Sequence, residues 1–137
     1  MVKEIIKDKE ILSKVCDDIT RADRQIIRDL VDTLKAHSDE CVCLAANQIG
    51  YTKTVLAYYD NGRIFIMVNP KVVGHSQDAF ECEEGCLSLE GVTKVSRYKS
   101  LKVKFLDENF KVKTNTYNGF VAECIQHMLD HFDGILI

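Results

Sequence analysis

Hydrophobic residues recur at two different periods along this chain, and the change of period marks its elements. Ile26, Ile27, Leu30, Val31 and Leu34 repeat at three- and four-residue steps, which predicts an amphipathic helix of about four to five turns ending near Ser38. Thr20 and Asp23 precede it as a capping box with Asp in place of the usual Glu. Its other face (Arg24, Arg28, Asp32, Lys35) is expected to be solvated. Upstream, residues 1–19 mix isolated apolar positions with charges, a pattern that predicts a packed, mostly extended arm with a short turn.

Beyond the helix the period shortens. Residues 52–59 and 63–69 read as two strands joined at Asp60-Asn61-Gly62, since Asn-Gly supplies the positive φ angles of a tight hairpin turn. Pro70 is expected to end the second strand, with a further short strand at Val72–Gly74. Glu83 to Ser88 form a compact polar break. Leu101, Val103 and Phe105 alternate with Lys102 and Lys104 as a half-buried strand, turned at Asp107-Glu108-Asn109 into a second arm, residues 110–117.

The last periodic stretch, Gly119 to Asp133, predicts a helix with Asn118 as N-cap and Gly134 as its stop. Phe120, Cys124, His127 and His131 share one face and Val121, Ile125, Met128 and Phe132 the next. Only Glu123, Gln126, Asp130 and Asp133 form a polar stripe. A helix apolar over so much of its circumference is expected to be buried.

Composition narrows the class. The 137 residues suit one domain, and 46% hydrophobic with 28% charged residues suits a globular chain with an adequate core. A net charge of −3 leaves no basic stripe to neutralise phosphates, which argues against nucleic acid as a partner. No apolar run is long enough to span a membrane, and the N-terminus is charged too early for a signal peptide. A cytoplasmic location follows as an expectation, with the six cysteines reduced.

His127 and His131 lie four apart, so both imidazoles stand on one helix face and can grip one metal ion. The Glu that follows the first histidine in H-E-x-x-H helices is replaced by Met128, whose thioether accepts no proton at neutral pH. Cys86, beside Gly85 in a polar bend, is the best third ligand. A thiolate with two imidazoles suits Fe²⁺, Zn²⁺, Co²⁺ or Ni²⁺ better than Mg²⁺ or Ca²⁺. Glu83, Glu84 and Asp130 are acids near these residues in sequence, but none occupies the helical position of the missing Glu. Met128 is read as a gap-filling core side chain, with approach of its sulfur to the metal as the alternative.

Three segments together resemble the peptide deformylase family. Cys41-Val42-Cys43-Leu44-Ala45-Ala46-Asn47-Gln48 matches the second half of the first motif, with Cys41 and Cys43 in place of its two glycines and Asn47 in place of a frequent proline. Glu84-Gly85-Cys86-Leu87-Ser88 is the intact second motif. Gln126-His127-Met128-Leu129-Asp130-His131 is the third, lacking its Glu. The resemblance covers nearly the whole chain. It implies an α+β domain over residues 1–137, with antiparallel sheets around a buried C-terminal metal-binding helix. Cys86, His127 and His131 would hold the metal, Fe²⁺ first, with Zn²⁺ or Ni²⁺ as alternatives.

By the same resemblance, Gln48 and the backbone N–H of Leu87 would bind the formyl oxygen, and Cys43, Leu44 and Arg97 would line the peptide groove. The reaction implied is hydrolysis of the N-formyl group from the ends of nascent chains, with the ribosome as the place of encounter. Met128 predicts strong impairment. The alternatives are a non-catalytic protein that holds metal and formylated peptide ends, or a structural metal protein in which Met128 closes the coordination sphere.

Overall fold

The computed structural model describes residues 1–137. The N-terminal arm contains one short helix, α1 (Lys9–Leu12), capped where the Asp8 side chain accepts from the Glu10 N–H. Backbone bonds from Ile6 N to Gln48 O (2.7 Å) and from Cys16 N to Phe132 O (2.8 Å) fasten the arm to the two segments that carry the chemistry.

The Thr20–Asp23 capping box forms and leads through a 3₁₀ turn into α2 (Arg24–Ala36). Ile26, Ile27, Leu30 and Leu34 are buried as the periodicity requires. Leu30 and Leu34, both 0% exposed, each contribute roughly 1.5–3 kcal/mol by burial. Asp29 is buried too, where it accepts hydrogen bonds from Tyr51 Oη and Gln25 Nε2.

The strands are β1 (Cys43–Ala45), β2 (Val55–Asp60), β3 (Arg63–His75), β4 (Ala79–Glu84), β5 (Thr93–Tyr98), β6 (Ser100–Leu106) and β7 (Val112–Asn118). A five-stranded antiparallel sheet runs β1-β2-β3-β6-β7, and β4 pairs with β5 separately. The β2–β3 turn has the expected positive φ at Asn61 and Gly62.

Two strand boundaries differ from expectation. Pro70 does not end the second strand, and Val72–Gly74 is its continuation, not a separate element. The register slips between Val68 and Lys71, with Asn69 at φ 50°, so a bulge absorbs the missing proline N–H. Glu83 and Glu84 belong to β4, and the polar break begins only at Gly85. The β4–β5 pairing is masked in the sequence because β4 carries Glu81, Glu83 and Glu84 at alternating and then consecutive positions, and β5 places Lys94 and Arg97 three apart, so neither strand shows a clean two-residue period.

The C-terminal helix, α3 (Gly119–Phe132), lies under the large sheet. Along β2, Leu56 and Tyr58 pack with Ile125, Met128 and Phe132 of α3, whereas Val55 and Ala57 pack with Leu30 and Leu34 of α2. The sheet is therefore covered on both faces, which explains the continuous apolar run of that strand. Asn118 precedes α3, but its side chain makes no capping bond. Gln126, read as part of the polar stripe of α3, is buried and clasps Tyr98 of β5 through both the N–H and C=O. This bond ties α3 to the small sheet, which brings β4 and the loop after it over the histidine face. No helix is long and apolar enough to cross a membrane.

Candidate metal centre

Cys86, His127 and His131 converge: Sγ and one nitrogen of each ring all lie within 4.8 Å of one another. The histidines come from successive turns of α3, and Cys86 from the loop that β4 delivers. The two Nε2 atoms face each other at 3.0 Å. Both rings are buried, and burial holds both below the ordinary imidazole value. For His131 the repulsion of His127 adds to burial and brings it down to about 3. Both are therefore neutral near pH 7, the form that ligates metals.

Glu84, the last residue of β4, holds His127 in place. Its Oε1 lies 2.7 Å from His127 Nδ1, and it also accepts from Arg97 Nε and from Arg97 Nη2 at 2.6 Å. Burial pushes the Glu84 carboxyl up, but the bonds from Arg97, Glu123 and His127 outweigh it and bring it down to about 2. Glu84 is thus a fixed anion that accepts the Nδ1–H of His127 and leaves Nε2 as the lone-pair nitrogen. The sequence shows Glu84 as the first residue of the second motif and as an acid outside the position of the missing base; in the structure its oxygens are occupied in this buried network. Its place one residue before the Gly85-Cys86 bend is the signal that could have marked it.

Arg97 does not lie on the peptide side. It is 5% exposed, paired with Glu84 and, through Nη1 at 2.6 Å, with Asp130. Alternation along β5 points its side chain inward, toward α3. Asp130 is likewise engaged in this network and not in proton transfer.

Beside the triad opens a cleft of about 550 Å³. Cys43, Gln48, Cys86, Leu87, His127 and Met128 are among its lining residues. Leu44 is not; its side chain is 0% exposed and packs in the core against α2, opposite to Cys43 on β1. Gln48 is fixed at both ends: Oε1 accepts the Ala45 N–H at 2.9 Å, and Nε2 donates to Ser88 Oγ at 3.3 Å. Met128 is 2% exposed and packs against core residues while reaching the cleft wall. Cys43 and Cys124 touch, and their hydrogen bond, with burial, pushes the Cys43 thiol well above its ordinary value. Glu123, Phe120 and Cys124 also line the cleft, a role that only the path of α3 past the loop reveals.

The donor set fits a divalent ion of intermediate softness. A sulfur and two Nε2 atoms converge, and the far nitrogen of one ring is already oriented by a carboxylate, as metal-binding histidines require.

The model of the polypeptide deformylase family matches residues 2–137. A peptide deformylase of Clostridium beijerinckii is 44% identical over 137 residues, covering 100% of both chains. A solved peptide deformylase from Legionella pneumophila has a TM-score of 0.87 at 32% identity, covering 99% of this chain and 83% of its own. The Met-Ala-Ser-bound crystal structure of class I type b peptide deformylase from Acinetobacter baumannii has a TM-score of 0.89 at 26% identity, covering 99% and 97%. With the fold matched end to end, the chain belongs to the peptide deformylase family of hydrolases.

Proposed function

We propose that this protein takes N-formylated peptide ends of nascent chains, met at the ribosome in the cytoplasm, and hydrolyses the formyl group slowly, releasing formate. The observation that carries this is the convergence of Cys86 Sγ with the His127 and His131 nitrogens within 4.8 Å at the wall of a cleft. These three residues would hold a divalent ion, Fe²⁺ foremost, with Zn²⁺ or Ni²⁺ accepted. Bound there, the ion supplies Lewis acidity toward a carbonyl and toward water.

The chain's own residues define the rest. β1 is an edge strand of the sheet, so its outer backbone at Cys43 is open to pairing with an extended peptide. Gln48 Nε2 and the Leu87 N–H would donate to the formyl oxygen as charge develops on it. Glu84 keeps the His127 ring oriented throughout. Met128, at the position where the family pattern has its acid/base, neither takes nor returns a proton. The leaving amine must therefore collect its proton from solvent, and turnover suffers.

The rival is a protein that binds formylated ends without cleaving them, favoured by the same Met128. Protein prepared anaerobically with Fe²⁺ or Ni²⁺ is assayed for formate from formyl-Met-Ala-Ser, alongside direct peptide binding. Slow formate release that disappears in Cys86→Ser is the expected result. Binding without formate selects the rival, and the absence of both overturns the two together.

A further inference from the structure

A neutral imidazole carries one N–H, and the surroundings of each ring decide where it sits. His127 donates Nδ1–H to Glu84 at 2.7 Å, so its Nε2 holds a lone pair. His131 Nε2 lies 3.0 Å from that nitrogen. Two lone pairs repel at this distance, so in the metal-free protein His131 carries its proton on Nε2 and donates it to His127. In that form His131 cannot ligate through Nε2. Binding one ion between the two Nε2 atoms requires the His131 proton on Nδ1 instead.

His131 Nδ1 is buried and has no hydrogen-bond partner in the protein. The other buried side-chain atom in that position is Asn47 Oδ1. The two belong to residues already joined, since Asn47 Nδ2 donates to the backbone oxygen of His131 at 2.9 Å. That bond fixes which end of the amide is nitrogen and leaves the oxygen as an acceptor with nothing to accept. Asn47 is 0% and His131 1% exposed. Buried polar atoms left without partners cost about 1–3 kcal/mol each, so two beside one residue pair call for an explanation. A single water satisfies both in either tautomer: it donates to both atoms while Nδ1 holds a lone pair, and it accepts Nδ1–H while donating to Asn47 Oδ1 once the proton has moved.

We propose that His131 changes tautomer when a metal binds, from Nε2–H to Nδ1–H, and that Asn47 Oδ1 receives the Nδ1–H through one buried water. One proton leaves Nε2 for solvent as one arrives at Nδ1, so the ring stays neutral. Asn47 is then a positioning residue that acts through His131. This rests on the metal-site reading above and specifies how the apoprotein becomes competent to bind.

The test uses the full chain with ¹⁵N-labelled histidine, and Zn²⁺ as the probe. Two-bond ¹H–¹⁵N correlations identify the tautomer of each ring before and after one equivalent of Zn²⁺. His127 is expected as Nδ1–H in both states, and His131 as Nε2–H changing to Nδ1–H. Zn²⁺ bound with His131 still Nε2–H, or His131 already Nδ1–H without metal, overturns the tautomer switch while the metal site stands. No perturbation of either ring by Zn²⁺ overturns the metal site and the switch together.

Two variants separate positioning from simple packing. Asn47→Asp keeps the acceptor and loses the donor to His131 O, whereas Asn47→Leu loses both. Zn²⁺ affinity is expected to fall about 10- to 100-fold in Asn47→Leu and to stay within a few-fold of wild type in Asn47→Asp. Equal loss in both overturns the role given to Asn47. Should Asn47→Leu not fold, the wild-type spectra still decide.

Discussion

Nδ1 of His127 lies 2.7 Å from Oε1 of Glu84, and this bond joins the metal-facing helix to the strand that delivers Cys86. Arg97 completes the link by gripping Glu84 and Asp130 together. The same carboxylate thus sets the tautomer of one ligand and fixes the distance between the two segments that carry all three.

Removing that carboxylate exposes its double duty. In Glu84→Ala the Arg97 side chain, 6% exposed, keeps only Asp130 as an anionic partner. A loss of about 3–5 kcal/mol in urea unfolding is expected from a buried charge left without its main partner. Zn²⁺ affinity is expected to drop about 10- to 100-fold, with a smaller drop in Glu84→Gln, which keeps an acceptor for His127. Unchanged Zn²⁺ affinity in Glu84→Ala would refute the orienting role.

Acid should weaken the metal-free protein in two stages. His131 stands at about 3 against an ordinary 6.5, so the unfolded chain takes up that proton first. Its contribution is complete above pH 6.5 and is lost as pH falls toward 3, at about 1.4 kcal/mol per pH unit. Glu84, at about 2 against 4.5, stabilises above pH 4.5, and that share is lost as pH falls through 4.5 toward 2. Both losses have the same sign. Urea midpoints should therefore decline steadily below pH 6.5, and His131→Asn should flatten the upper stage. A midpoint independent of pH between 4.5 and 6.5 contradicts this.

Met128→Glu places a carboxylate at the cleft wall. Formate release is expected to rise about 10²- to 10⁴-fold in the metal-loaded protein. Stability should fall by about 1–3 kcal/mol, because Met128 is 2% exposed and packs against the core. Wild-type turnover equal to the variant's would show that another group already supplies the proton transfer.

Gly134 follows the end of α3 at φ +75°, and a Cβ there would clash with the backbone oxygen of Ser13. Gly134→Ala combines a left-handed backbone with a clash against the N-terminal arm. It should cost about 2 kcal/mol or more in thermal unfolding. A Tm within a degree of wild type would mean that the arm moves aside freely.

Local pattern carried much of this in the chain itself. The three-and-four spacing of Ile26 to Leu34 specified α2, Asn61-Gly62 specified its hairpin, and the four-residue step from His127 to His131 specified a shared helix face, because each depends on backbone periodicity within a few residues. Cys86 was reached through the glycine beside it, its polar flanks and the order of the motifs, not through geometry. Tertiary packing alone decided that Arg97 turns inward to Glu84 and Asp130, that Leu44 faces α2 while Cys43 faces the cleft, that Gln126 clasps Tyr98, and that Asn47 lies against His131. Each of these depends on which of two faces an element buries and on what arrives there from a distant part of the chain. A charge reads as solvated in sequence until the fold brings its partner, and only burial turns Glu84 from a surface acid into the anchor of the site.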